Sequence, residues 1–330
     1  MMLSVALCTF NGEKYIEEQL NSILNQTKKV DEIVICDDCS NDKTFSILNK
    51  FKERYPDIIT CFKNESNLKS NKNFEKAMSL CNGDYIFFSD QDDIWEENKV
   101  KSIMQVFDNN FKLEGVFSNA ALINADGEKC AEDSLWDNVM FIEEILKKPV
   151  DLYQYISEVR NMVTGGTLCI KSSTRSFLLP FPSQKDIFHD EWIALNLSFR
   201  KTLGYTTDKL ISYRVHSSQQ IGVMKTSKKK ENLEVIKCIV KINNTKNYKI
   251  LYQIYKSYFR NYIKFKTLYS NYNQVINFDL KQIIEKNRLN IIESEKKMKQ
   301  ANWLFYTFNV LADKITGKRQ IQNNGITKYY

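Results

Sequence analysis

Three carboxylates fall within four residues at Asp90-Gln91-Asp92-Asp93. Charges that close repel one another unless a cation sits among them. An oxygen-rich cluster of this kind suits a hard divalent cation such as Mg²⁺ or Mn²⁺, which is commonly shared between one or two carboxylates and substrate phosphates. The string reads either as a metal–diphosphate clamp or as a solvated acidic loop. A second acidic pair, Asp37-Asp38, has carboxylates able to accept hydrogen bonds from a base imide or a ribose hydroxyl, unless one of them caps a helix instead. A third cluster is His189-Asp190-Glu191-Trp192. Asp190 there is either a general base beside an apolar helix that carries Trp192, or an N-cap next to a histidine with no special role. His216, one of only two histidines, follows Tyr213-Arg214-Val215. It is a candidate metal ligand or a packed residue, and Arg214 suits phosphate oxygens.

These groups need elements to position them. Leu3–Thr9, Glu32–Cys36, Ile58–Phe62 and Tyr85–Ser89 are apolar runs that read as strands. Between them lie helical stretches. One places Ile16, Leu20, Ile23 and Leu24 on a single face, a second follows the capping residues Ser40-Asn41-Asp42, and a third covers Asn71–Leu80. Strands alternating with helices predict a mostly parallel sheet flanked by helices, in the α/β class. Thr9 and Asn11, then Asp37 and Asp38, then Asp90 to Asp93 follow three of those strands. Ligands of open α/β sheets bind outside the carboxyl ends of the strands. Further on, the spacing predicts a helix over Glu96–Phe107, strands at Gly115–Ser118 and Gly165–Lys171, a helix from His189 through Phe199, and a strand over Leu210–Val215 ending at His216. Residues 128–150 carry no decisive pattern.

The chain has 330 residues, 43% of them hydrophobic and 12% aromatic, enough to bury a real core. No run of about 18 uncharged apolar residues predicts a membrane span. The first ten residues read as a strand and not as a signal peptide, so a cytoplasmic protein is expected. Eight scattered cysteines suit a reducing compartment, and Cys36-Asp37-Asp38-Cys39 lacks the second pair or nearby histidines of a zinc site. The net charge of +7 is uneven. Residues 225–330 hold 22 Lys and Arg against 7 Asp and Glu, whereas residues 1–224 hold 25 against 33. The simplest division is a catalytic domain over 1–224 and a basic, mainly helical extension over 225–330.

Taken in order, Leu3-Ser4-Val5-Ala6-Leu7-Cys8-Thr9-Phe10-Asn11-Gly12, Ile33 to Asp42, and Gly83 to Trp95 resemble glycosyltransferase family 2. Phe88 to Trp95 followed by Lys99, with Thr164-Gly165-Gly166-Thr167, His189 to Trp192 and Tyr213 to His216, is similar to its rhamnosyltransferase-like branch. The resemblance covers about residues 3–222. It implies a GT-A fold and an inverting transfer from a nucleotide-diphosphate sugar. It further implies Thr9 and Asp37 at the base with Asn11 and Asp38 nearby, Asp90 at the ribose, and Asp92 on the metal with His216 near the diphosphate. Asp190 matches the catalytic base. Asp93, Gln91, Lys99, His189 and Trp192 take supporting places. The branch suggests dTDP-rhamnose as donor and a glycan or lipid-linked acceptor in cell-surface polysaccharide synthesis. Cys39 stands where the family commonly has glycine, which predicts a slightly different turn. Glu191 stands where relatives often carry an aromatic.

The extension resembles no family. Its charge and the stripe Leu304, Phe308, Leu311 and Ile315, with Trp303 and Phe305 beside it, suit peripheral contact with an anionic membrane at the inner face of the cell membrane. The same stripe could equally pack on the catalytic domain. Nucleic acid would match the charge, but no recognised binding module is present, so none is expected as a partner. Two rival functions use the same residues: a metal-dependent phosphohydrolase of nucleotide sugars, and a non-catalytic subunit of a polysaccharide assembly complex.

Overall fold

The computed structural model describes residues 1–139, 141, 151–183, 187–216, 229–242, 244–272, 280–315, 320–322 and 325–328. The chain forms two compact units, Met1–Leu146 with Asn161–Lys225, and Lys147–Arg160 with Thr226–Tyr330. The expected division at 224/225 did not anticipate that residues 147–160 group with the C-terminal helices.

The first unit is built on a nine-stranded sheet. Its strands are β1 (Leu3–Thr9), β2 (Glu32–Asp37), β3 (Ile59–Lys63), β4 (Tyr85–Ser89), β5 (Ile94–Trp95), β6 (Gly115–Ile123), β7 (Lys129–Ser134), β8 (Leu168–Lys171) and β9 (Leu203–Arg214). The order is β3-β2-β1-β4-β8-β6-β9-β5, with β7 on β6. All seven residues of β1 are buried, as expected of a central strand covered on both faces. Its register with β2 sets Thr9 beside Asp37 at the carboxyl end. Helices α1 (Ile16–Leu24), α2 (Thr44–Arg54), α3 (Lys69–Leu80), α4 (Lys99–Asn109) and α5 (His189–Phe199) cover the sheet. The core runs through Val5, Leu7, Ile35, Phe87, Trp95, Ile103 and Ile211.

The strand–helix alternation accounts for the parallel half, β3-β2-β1-β4. Beyond β4 the directions mix: β8 is antiparallel to both β4 and β6, whereas β6 and β9 run parallel. Several boundaries differ from the sequence expectation. Gly165–Thr167 is a 3₁₀ turn and only Leu168–Lys171 is strand. The turn is closed by Thr167, whose N–H and hydroxyl both donate to the Thr164 carbonyl, at 2.9 and 2.7 Å. Ile94 and Trp95 are drawn into a pairing with β9, so α4 starts at Lys99 and not at Glu96. The strand expected over Leu210–Val215 is the end of the longer β9, and the one at Gly115–Ser118 continues to Ile123.

The second unit contains α6 (Lys229–Ile239), α7 (Tyr248–Tyr272), α8 (Leu280–Ala301) and α9 (Trp303–Ile315). Residues 152–159 join it through a polar seam. Buried Asn287 donates to the Ser157 carbonyl at 3.2 Å, and Asn290 donates to Glu158 at 3.0 Å. Burial pushes the Glu158 carboxyl up, and Lys286 at 3.5 Å opposes that. No described helix is long and apolar enough to cross a membrane. Asn287→Ala strips the buried Ser157 carbonyl of this donor and is expected to cost about 1–3 kcal/mol. Chemical denaturation followed by circular dichroism measures it; an unchanged midpoint would remove the seam as a stabilising feature.

Candidate active site

The acidic loop turns at the carboxyl end of β4, in a recess where water is scarce. Burial first, and Asp92 second, push Asp90 up to about 7. Asp93 is raised by burial and then by Asp92 and Asp90. One Asp93 oxygen accepts the Arg214 N–H at 3.1 Å, while its Oδ2 is buried without a partner. The countercharge within the protein is Lys99. Its fully buried Nζ donates to the Gly166 carbonyl at 2.6 Å and lies 3.6 Å from the centre of the Trp95 ring. Burial, the largest influence, holds the Lys99 ammonium down to about 7.

Asp92 and His216 meet as expected, with Nε2 to Oδ2 at 2.9 Å. The His216 ring lies 5.0 Å from that of Tyr15. Among the described residues no third His, Cys, Asp or Glu completes a metal-binding cluster. The pair therefore fits a cation that takes its other ligands from phosphate oxygens and water. The buried, unpartnered Oδ2 of Asp93 beside it fits the same use.

Arg214 departs from its expected place. Its side chain is 1% exposed and lies beneath the loop, facing protein acceptors and not the recess. The guanidinium donates to Glu18 at 2.5 Å and to the Asp92 carbonyl at 2.8 Å, and it packs 4.6 Å from the Tyr15 ring centre. The physical reason is its position at the end of β9, which pairs with β5 immediately after the loop. Arg214 thus holds the loop by its backbone. Glu18 carried no local signal, because its partner lies 196 residues away.

On the other side of the recess Thr9 donates to Asp37 at 2.9 Å, and Ser40 donates to Asp37 through its hydroxyl and its N–H. Asp38 is occupied elsewhere. It accepts from Asn64 and from the N–H groups of Leu68 and Lys69 at the start of α3, so it caps a helix, though not the next one in the chain. Cys39 takes φ of 64°, the left-handed conformation a glycine would supply, and its Sγ donates to the Asn64 carbonyl. The turn thus keeps the glycine geometry that the sequence led us not to expect. Cys36 is buried with its thiol pushed up to about 11, mainly by burial, and all eight cysteines are free thiols. Asn11 bonds across to the Ser40 hydroxyl and the Asn41 N–H. Gln91 grips the Phe10 backbone twice, accepting from its N–H at 2.7 Å and donating to its carbonyl at 3.0 Å. The Phe10 ring, which sequence reasoning passed over, stays exposed at this rim.

Asp190 opens α5 and is partly exposed. It accepts the Glu191 N–H at 2.6 Å and, weakly, the Asn161 side-chain amide at 3.4 Å. Burial, then the Glu191 charge, push it up to about 7, and the Asp90 charge also reaches it. Two glycines let these groups converge. A Cβ on Gly165 would stand 2.6 Å from His189 Nε2, and one on Gly166 would stand 2.8 Å from Asp93 Oδ2. His189 is stacked on Phe74 at 3.9 Å, and burial lowers it to about 3, so it is neutral. Trp192 donates to the Leu178 carbonyl at 2.8 Å from inside the core. Both are framework residues around Asp190. The signal for Asn161 was only its place just before the Thr164-Gly165-Gly166 turn.

The chain is similar to known proteins in sequence and in fold. The sequence profile described as Glycosyl transferase family 2 matches residues 4–152. The dTDP-rhamnosyl transferase RfbG of Shigella flexneri is 32% identical over 230 residues, spanning 66% of this chain and 73% of that protein. TarS 1–349 of S. aureus in complex with UDP-GlcNAc shares the fold with a TM-score of 0.55 at 16% identity, over 100% of this chain and 97% of that one. The mannosyltransferase PcManGT from Pyrobaculum calidifontis, in complex with GDP-Man and Mn²⁺, gives a TM-score of 0.50 at 14% identity, over 94% and 80% of the two chains.

Two substitutions probe the geometry. Cys39→Gly relieves a left-handed L-residue and is expected to leave stability unchanged or raise it by up to about 1 kcal/mol; a fall of that size in a denaturant titration would show that the Sγ bond to Asn64 outweighs the strain. Gly166→Ala pushes a methyl into Asp93, and nucleotide-sugar affinity by calorimetry is expected to fall about tenfold or more while the fold is kept.

Proposed function

Because the chain belongs to glycosyltransferase family 2, we propose that it transfers a sugar from a nucleotide diphosphate to an acceptor hydroxyl with inversion, using Asp190 as the general base. The observation that carries this reading is that one turn joins Asp190 to the acidic loop: the Gly165 N–H donates to Asp190, which also feels the Asp90 charge, and Gly166 abuts Asp93. Each half supplies what the transfer needs. The pocket edge of Thr9, Asn11 and Asp37 receives the base, with the exposed Phe10 ring as a stacking face. Asp90 receives the ribose hydroxyls. Asp38 and Arg214 act indirectly, by holding α3 and the loop in place.

Asp92 and His216 would hold the divalent cation, Mg²⁺ or Mn²⁺. Bound there, the cation would offset the negative charge that grows on the leaving diphosphate. Asp190 accepts the proton of the acceptor hydroxyl as that oxygen attacks the anomeric carbon from the face opposite the diphosphate. The bond from that carbon to the diphosphate oxygen breaks in the same displacement, so the anomeric centre inverts and no side chain becomes covalently attached. A carboxylate pushed up to about 7 suits this task, because a base works best when its pKa lies near the working pH. The similarity to RfbG supports dTDP-rhamnose as the donor. The acceptor is a glycan or a lipid-linked acceptor in cell-surface polysaccharide synthesis.

A calorimetric titration with thymidine- and uridine-diphosphate sugars, in Mn²⁺ and then in chelator, tests the donor half. Metal-dependent binding of one nucleotide sugar is expected, and no binding by folded protein would overturn the reading. Acceptor-independent release of nucleoside monophosphate and sugar phosphate would point to the phosphohydrolase. Asp190→Asn is expected to keep donor binding and lower transfer by about 10²-fold or more. The pH dependence has a defined sign. Asp190 must be deprotonated to accept a proton, so transfer falls as pH drops below about 7, and that acidic limb should vanish from the residual activity of the Asn variant. An unchanged limb would assign it to another group.

A further inference from the structure

The last helix of the second unit is turned with its apolar face outward. A helix on a protein in water normally buries its apolar stripe and exposes its polar one. In α9 the groups directed at the rest of the unit are Asn309, Tyr306 and the Phe305 ring, which lies 5.9 Å from that of Tyr248. Asn309 donates to the Tyr248 hydroxyl at 2.8 Å, and the Tyr306 ring lies 4.9 Å from Lys299 Nζ. The opposite face carries Leu304, Phe308 and Leu311 at i, i+4 and i+7, which are 72%, 67% and 53% exposed; Trp303, at 64%, and Phe305, at 60% and partly packed on Tyr248, flank it. Five of the twelve large exposed hydrophobic side chains of the described residues stand on this one helix. A patch of that kind marks an interaction surface.

Its surroundings specify the partner. Lys296 and Lys299 are exposed at the end of α8, directly before α9. Lys246 and Lys249 are exposed next to Tyr248, where α7 meets Asn309. Residues 225–330 together hold 22 basic against 7 acidic residues. A second copy of this chain would bring the same basic rim to the contact, and lysine is depleted at protein interfaces. Anionic headgroups complement the rim, while acyl chains receive Leu, Phe and Trp side chains. With 13 residues, α9 is about 20 Å long, sufficient to lie in the headgroup layer and too short to span a bilayer.

We infer that α9 is an interfacial anchor that inserts Leu304, Phe308 and Leu311 into an anionic lipid surface, with Lys296 and Lys299 on the headgroups. The surface belongs to the second unit alone, so it stands whether or not Asp190 is the base.

The full chain is mixed with vesicles of phosphatidylglycerol and phosphatidylethanolamine, and separately with phosphatidylcholine vesicles. Co-sedimentation with the anionic vesicles only, weakened by salt, is expected. Trp95, Trp136 and Trp192 are buried, so a blue shift of tryptophan emission on binding reports Trp303. The triple variant Leu304→Ser, Phe308→Ser, Leu311→Ser changes only exposed positions. It should lower the vesicle partition coefficient by about tenfold or more and abolish the blue shift, with its circular dichroism melt unchanged. Lys296→Gln with Lys299→Gln should weaken binding at low salt only. Absence of binding by the parent chain, or equal binding by the triple variant, would overturn the anchor. So would a parent dimer in analytical ultracentrifugation that the triple variant dissolves without any vesicle binding, which would assign the face to a second copy.

Discussion

The crowding of three carboxylates on one short loop, in a recess with little water, is the constraint around which the first unit is organised. Charges that close cannot coexist in poor solvent without compensation. The protein supplies part of it from three directions. Lys99 comes from below on α4 and is kept dry over Trp95. Gly166 comes from the turn before β8, its N–H donating to Asp90 while its carbonyl orients the Lys99 ammonium. Arg214 comes from the end of β9 and fixes the loop through a main-chain carbonyl and a main-chain N–H. The compensation is incomplete, since Asp93 keeps a buried oxygen without a partner and Asp90 is pushed towards neutrality. An acidic loop left short of positive charge is a receptor for more of it.

The other side of the recess is stabilised in a different way. Among the described residues no cationic side chain bonds to Asp37. Its oxygens are satisfied by Thr9 and Ser40, neutral donors fixed by the register of β1 with β2. Asp38 is satisfied by backbone N–H groups at the start of α3. Hydrogen bonds to neutral donors stabilise a carboxylate without adding net charge. The two halves thus differ in electrical character: one is satisfied and rigid, and the other is charged and under-compensated.

Much of this was legible in the sequence, and the reasons are local. Leu3–Thr9, Glu32–Asp37 and Tyr85–Ser89 are short apolar runs closed by polar residues, so strands, helices and the acidic rim followed from spacing alone. The Asp92–His216 pair was reachable because each residue lies just beyond the end of a strand. What stayed hidden depends on partners distant in the chain. Whether Arg214 faces ligand or protein is decided by Glu18 and the Asp92 carbonyl, and nothing around Tyr213-Arg214-Val215 encodes that choice. The antiparallel insertion of β8 between β4 and β6 is a pairing decision, invisible to periodicity. The 3₁₀ turn at Gly165–Thr167 reads as strand because its glycines serve close approach to His189 and Asp93 rather than local conformation. Residues 147–160 likewise join the second unit through Asn287 and Asn290, far along the chain.

Gln91 holds the Phe10 backbone by both its N–H and its carbonyl, and it belongs to the acidic loop. The two loops are therefore mechanically one part, although 81 residues separate them. A chimera that imports either loop from a relative without the other inherits a broken clasp, with two main-chain groups of Phe10 left unpaired. Exchange of either loop between relatives, by recombination or by engineering, keeps the clasp only when both move together.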